Sequence, residues 1–208
     1  VDAKEVGKNI GLIPLGFTEI WSASFNSAII ISAGDNAEFI AFCGINLDIT
    51  IFNKENVYLP AFLKTYPFLN VEVENKDKKV NSLIAIDNNP KYVAKDKKIF
   101  ILDKEKNLSK QTASKVELIK ELNSQRAVCR RIIAELKKLD LLIKKDLRVK
   151  IEGKEEKVIL EEFYVINMEK LLKLDDKIIA GFARKGWMGI FDAHFKSMGN
   201  FEKILKAN

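Results

Sequence analysis

Asp192, His194 and Ser197 stand close together near the end of the chain, and their residue types are those of a hydrolytic triad. Helical spacing argues against that chemistry. Positions two apart point roughly 200° away from each other around a helix axis, so Asp192 cannot orient His194. His194 and Ser197 can share a face, but a serine on a helix has no oxyanion hole beside it. His194 is the only histidine in the chain, which removes any multi-histidine metal site. The expected role is a hydrogen-bonded structural histidine. No GxGxxG, GxxxxGK[ST], CxxC or HExxH occurs, so phosphate-loop, zinc and metalloprotease chemistry have no motif to rest on. The carboxylate neighbours Glu161–Glu162 and Asp175–Asp176 are read as opposite faces of a strand and as a helix start. No catalytic residue, metal site or cofactor is expected.

Arg126, Arg130, Arg131 and Lys137 lie on one long helical pattern, with Arg126 and Arg130 a turn apart. They are the candidate anion-binding residues, weighed against the outer, solvated face of an amphipathic helix. Nucleic-acid binding is not expected, because the aromatics that would interleave with a basic face are elsewhere. They sit in "VYLPAFLKTYPF" (Val57 to Phe68), which holds two prolines and four rings in twelve residues, and in "GWMGIF".

The elements that must position these residues follow from pattern. "NIGLIPLGF" reads as extended, and "TEIWSASF" as a short helix capped by Thr18 with Glu19 in its first turn. "SAIIIS" and "AEFIAFCGI" read as a hairpin turning at "GDN", and "DITIF" as a further strand. "FLNVEVE" and "VNSLIAID" form a second hairpin with "NKDKK" as its turn, followed by a short strand "KIFIL". Leu118, Leu122, Cys129, Ile132, Leu136 and Leu139 then recur at three- and four-residue steps, apart from a gap at Gln125. That is the stripe of a long helix, with Ser114 and Glu117 as its capping box. "LRVKI" and "KVILEEFYVI" make a third hairpin around Gly153. "NMEKLLKL", "DDKIIAGFARKG" and "MGIFDAHFKSMGNFEKILKA" read as helices, with Asp175 and Asp176 at a helix start and Gly186 at a stop. The fold class is α+β: an antiparallel strand-rich N-terminal half, a long amphipathic helix, a hairpin and C-terminal helices. Residues 1–208 are read as one domain, with a composition shift at 104–114 that marks a sub-boundary or a surface loop.

Composition narrows the rest. An apolar share of 47% and a charged share of 31% are those of a folded chain, and no apolar run approaches the roughly 20 residues that span a bilayer. A permease is thereby excluded. Cys43 and Cys129 are read as buried apolar thiols. The net charge of +6 is spread over the chain and does not mark a footprint. "VDAKEVGK" lacks the basic-then-apolar shape of a signal peptide, though it also lacks an initiator Met, and both the cytoplasm and the cell surface stay open as locations.

Within "VYLPAFLKTYPF", Pro60 suits the first turn of a helix and Pro67 should end it at Tyr66, with Ala61, Phe62, Leu63 and Tyr66 turned toward the sheet. This stretch resembles the SapC family of bacterial S-layer-associated proteins. The block Y-[IVL]-P-A-F-[IVL]-x-x-Y-P-F is matched by Tyr58, Leu59, Pro60, Ala61, Phe62, Leu63, Tyr66, Pro67 and Phe68. A second block, G-W-[LM]-G-[IL]-x-x-A-H-x-x-S-[LM]-x-N, is matched by Gly186, Trp187, Met188, Gly189, Ile190, Ala193, His194, Ser197, Met198 and Asn200. "SLIAIDNN", "KIFILD", "ELKKLDLL" and "FYVINMEKLLKLDD" look like further family segments in order. Asn88 stands where many members are acidic, and Lys64 and Thr65 precede "YPF". The resemblance implies a non-enzymatic accessory or structural protein of surface-layer assembly. It would work through protein–protein contacts with partners of a surface-layer or secretion system. The alternative is a small-molecule or peptide binder, enzyme included, with a pocket between the two blocks lined by Tyr58, Tyr66, Trp187 and His194.

Overall fold

The computed structural model describes residues 2–74, 80–89, 100–149 and 157–206. In chain order these residues form α1 (Ala3–Gly7), β1 (Leu12–Pro14), α2 (Ile20–Ala23), β2 (Ala28–Ile31), β3 (Phe39–Phe42), α3 (Ala61–Thr65), β4 (Phe68–Glu74) and β5 (Val80–Ile86). The long α4 (Lys110–Lys138) follows, then β6 (Leu142–Val149), β7 (Lys157–Ile166), α5 (Met168–Leu171), α6 (Asp176–Arg184), α7 (Trp187–Ser197) and α8 (Asn200–Leu205). The class is α+β, with every described strand pair antiparallel.

A five-stranded sheet runs β1-β3-β2-β7-β6, and β4 and β5 form a separate pair. Pro14, which cannot donate to a ladder, sits on the edge strand β1 where that costs nothing. All four residues of central β2 are buried, so both of its faces are covered; three consecutive isoleucines suit that position better than alternation would. One apolar core cluster draws on Val6, Ile29 and Phe52 as well as Ile132, Phe191 and Ile204, so it crosses the composition shift at 104–114.

The three hairpins form, but the first strand of the third starts at Leu142, ahead of the expected "LRVKI", because α4 ends at Lys138 rather than running through "LDLL". The first hairpin turns at Gly34–Asn36, with Ser32 Oγ accepting from the Glu38 N–H. The expected turns at "NKDKK" and Gly153 lie outside the described residues, as does the start of "KIFIL". The described end of that segment is not a strand, since Leu102 makes only a lone bridge to Leu108. "DITIF" is not a strand either. Thr50 accepts from the Phe52 N–H and starts a 3-10 turn over Ile51–Asn53, where a hydroxyl cap outbids strand propensity.

Local caps account for the other differences. Thr18 does not cap "TEIWSASF". A 3-10 turn over Phe17–Glu19 starts at Gly16, and Glu19 Oε2 receives the Gly16 N–H at 2.9 Å. The long helix starts before the Ser114–Glu117 box: Ser109 Oγ accepts from the Thr112 N–H, and Ser114 Oγ instead donates to the Lys110 carbonyl. Its buried stripe is Ile119, Leu122, Cys129, Ile132, Ile133 and Leu136, with Leu118 and Leu139 half-buried. The C-terminal helical run breaks at Met198–Gly199 into α7 and α8. Asp175 caps α6 through the Lys177 N–H, and Gly186, at φ 72°, makes the left-handed corner between α6 and α7.

Candidate functional site

The first block is a corner. Pro60 caps α3, and Tyr66 leaves helical geometry before the cis Tyr66–Pro67 bond. The helix packs on α1 and α4 rather than on the sheet, since Leu63 buries against Phe52 and the α1 end while Ala61, Phe62 and Tyr66 stay half-buried. Lys115 of α4 donates to the carbonyls of Lys64 and Tyr66, which closes the C-terminal end of this short helix. Tyr66 donates its hydroxyl to Asp87, holding that carboxyl below its ordinary value, with the Asn89 N–H as a second cause.

The front of the same corner hangs on Glu19. Its Oε1 accepts from the Tyr58 hydroxyl at 3.0 Å and from the Ala61 N–H at 2.6 Å, while Oε2 holds Gly16. Glu19 is buried. Burial first, then the Glu19 charge and hydrogen bond, push the Tyr58 phenol above its ordinary 10. Asn26 accepts the Tyr58 N–H. The Gln125 gap in the α4 stripe meets the same loop: Gln125 Oε1 accepts from Thr18 Oγ at 2.6 Å. A Cβ on Gly16 would lie 2.5 Å from that oxygen, so glycine is what lets α4 approach.

The second block is a wedge. Strands β2 and β7 pair only at Ile31 and Tyr164. The next pair in that register is Ile29 with Ile166, and it does not form. Instead, the Ile29 N–H donates to Ser197 Oγ at 2.9 Å, and the Ile166 N–H donates to His194 Nε2 at 3.1 Å. Ser197 passes its own hydrogen to the His194 carbonyl at 2.6 Å. Asn200 continues the stripe, donating to the Ser24 and Ser27 carbonyls at 2.8 and 3.0 Å. His194 and Ser197 thus supply the partners that a splayed sheet would otherwise lack, and Asn200 those of the turn that leads into β2.

His194 has no solvent exposure. Since Nε2 accepts, the proton is assigned to Nδ1, which has no partner in good hydrogen-bonding geometry. Desolvation lowers its pKa from 6.5 to about 4; the neighbouring Ile29 main chain opposes that only in part. Asp192 is exposed on the far side of α7. No triad is assembled.

The four residues named for a ligand therefore have separate partners. Tyr58 lies on Glu19, Tyr66 on Asp87, and His194 on Ile166. Trp187 stacks on Phe182 at 5.5 Å, with the Lys185 ammonium 4.5 Å from its ring centre. Arg126 and Arg130 do come together, on an internal anion: Arg126 forks onto both oxygens of Glu38 at 2.7 and 2.8 Å, and Arg130 reaches Oε1 at 3.0 Å. Cavities open elsewhere. One of about 190 Å³ is lined by Lys8, Asn9, Gly11, Gly44 and Thr50, and a shallow groove runs along the first turns of α4. Cys43 and Cys129 are buried free thiols, each pushed up to about 12 by burial.

Sequence reasoning missed Glu19 as a hub and Asn200 as part of the wedge. The signal for the second was present, in buried-type polar residues at three-residue steps, 194, 197 and 200, from the end of α7 to the start of α8. For the first, the local Gly16 contact says nothing of a hub, and its other partners, Tyr58 and Ala61, lie 39 and 42 residues away.

With this geometry, the family can be stated. The SapC family profile matches residues 1–204, and the chain belongs to that family. No curated protein and no solved structure matches it. Among the described residues, no helix is long and apolar enough to cross a membrane, and no cluster of three or more His, Cys, Asp or Glu could hold a metal.

Proposed function

We propose that this chain is a non-enzymatic accessory or structural protein of bacterial surface-layer assembly, working through protein–protein contacts in the cytoplasm or at the cell surface. One observation carries the reading. Apart from His194 Nδ1, the hydrogen-bonding groups of the two signature blocks that stood as candidates engage the fold's own groups: Tyr58 and Ala61 on the Glu19 and Asn26 side chains, Tyr66 on Asp87, and His194, Ser197 and Asn200 on the main chain of Ile166, Ile29, Ser24 and Ser27. A catalytic or ligand-gripping site would leave convergent polar groups facing a concavity. That favours contacts made by the outer surface over a pocket between the blocks, which is the alternative reading.

The test is affinity capture of the tagged chain at native abundance after mild crosslinking. Recovery of surface-layer or secretion proteins is expected. Recovery of none, together with a small molecule that raises Tm in a ligand screen of the wild-type chain, would transfer the reading to the alternative.

A further inference from the structure

Segment 17–27 is gripped from both sides. Glu19 and Asn26 hold the first block, and Asn200 of the second block holds the carbonyls of Ser24 and Ser27. Ile20 and Ala23 of α2, and Ser24 just after it, face inward and are buried. The large apolar side chains left outward, one turn apart, are Trp21 and Phe25, which are 48% and 54% exposed. Their rings meet edge-on at 6.2 Å. Lys196 of α7 lies across them, with its ammonium 3.4 Å from the Phe25 ring centre and 5.4 Å from that of Trp21.

We infer that the Trp21–Phe25–Lys196 face is a docking site for a protein partner's peptide segment that carries a carboxylate beside apolar side chains. The inference rests on the protein-contact reading above and names the chemistry of the contact. Single exposed aromatics are ordinary on protein surfaces, but a tryptophan and a phenylalanine side by side on a rigid platform are what an interface centre requires. The platform matters because ordering a loose segment on binding would cost part of the affinity, and this one is already ordered by both blocks.

Charge selects the partner. Lys196 has no carboxylate partner among the described residues, and Asp192, one turn earlier on α7, does not reach it. The rings hold the ammonium in place without neutralising it, so an arriving carboxylate supplies the missing charge while apolar side chains cover the rings. A nucleic acid would need several cations along the face, and so would an anionic bilayer. A neutral sugar would use the rings and leave Lys196 idle.

The probe is a labelled peptide alternating Glu with Leu and Phe, compared with versions carrying Gln or Lys in place of Glu, read by fluorescence anisotropy. The acidic peptide should bind at least about tenfold more tightly than the Gln version. Lys196→Glu should remove about tenfold, and Trp21→Ala with Phe25→Ala should abolish saturable binding. Thermal melts of these variants should stay near wild type, because none of the three side chains is buried. Equal binding of acidic and neutral peptides, binding that survives loss of both rings, or stronger binding of a neutral oligosaccharide or anionic vesicle would overturn the inference.

A photo-crosslinking residue at 25, compared with one at Leu172, which is 69% exposed, separates the two levels. Protein adducts from 172 but not from 25 would overturn the docking face and leave the protein-contact reading standing. Adducts from neither would remove support from both.

Discussion

The two signature blocks are tied into the fold by different chemistry. The "YLPAFLKTYPF" corner presents donors, the Tyr58 hydroxyl and the Ala61 N–H, to the buried Glu19 carboxyl. The α7–α8 wedge uses neutral side chains, His194, Ser197 and Asn200, against main-chain groups. One grip therefore depends on a charge being present, and the other on a charge being absent. They should fail under different insults.

The largest effect belongs to the wedge. His194→Ala leaves the Ile166 N–H buried without a partner and opens a cavity, so it should cost about 3–4 kcal/mol of unfolding free energy in urea. A loss below about 1 kcal/mol would mean that water replaces the ring.

Acid should do nearly as much. The folded His194 pKa, about 4, lies below its ordinary 6.5, so the unfolded chain binds the proton first. Its contribution is complete above pH 6.5 and falls as pH drops toward 4, by about 3 kcal/mol in all. Urea midpoints across that range check it, and a His194→Gln variant should show a flatter profile. An unchanged slope in that variant would place the acid sensitivity elsewhere.

The corner should respond less, and at the other end of the pH scale. Glu19→Gln turns one acceptor into a donor facing Gly16 and should cost about 1–2 kcal/mol. It should also bring the Tyr58 phenol back toward 10, visible in the phenolate absorbance, because the Glu19 charge is one cause of its upward shift. No movement of that titration would remove the charge from the account. Tyr66→Phe should be smallest, with Tm within about 2 °C of wild type, because a hydroxyl–carboxyl pair at the surface is a weak contact. The Asp87 carboxyl should then rise toward its ordinary value, as followed by NMR.

Much of the fold was legible because it is written locally. The isoleucines of β2, the prolines around α3 and the stripe on α4 each declare an element by propensity or period. Caps were less legible. Ser109 outcompeted Ser114, and Gly16 replaced Thr18, because a cap is chosen by where the preceding chain turns. The candidate site was half legible. His194 and Ser197 could be placed on one face from spacing and separated from a triad, but their targets, Ile29 and Ile166, lie 168 and 28 residues away. Arg126 and Arg130 read as a pair, yet Glu38 across the sheet was not visible, since nothing in "NAEFI" marks its side chain as the one that meets them.

The gap between β2 and β7 bears on the order in which the chain can assemble. Strands β1 to β3 end at residue 42, and β6 and β7 begin a hundred residues later. Each half can form its own hairpin early, because those pairings are local. Joining them waits for α7, since a single strand pair otherwise links the halves and two buried amides stay open. The central sheet should thus close only after residues through Ser197 have been synthesised, and the slow step of folding should be the docking of α7 rather than any strand pairing.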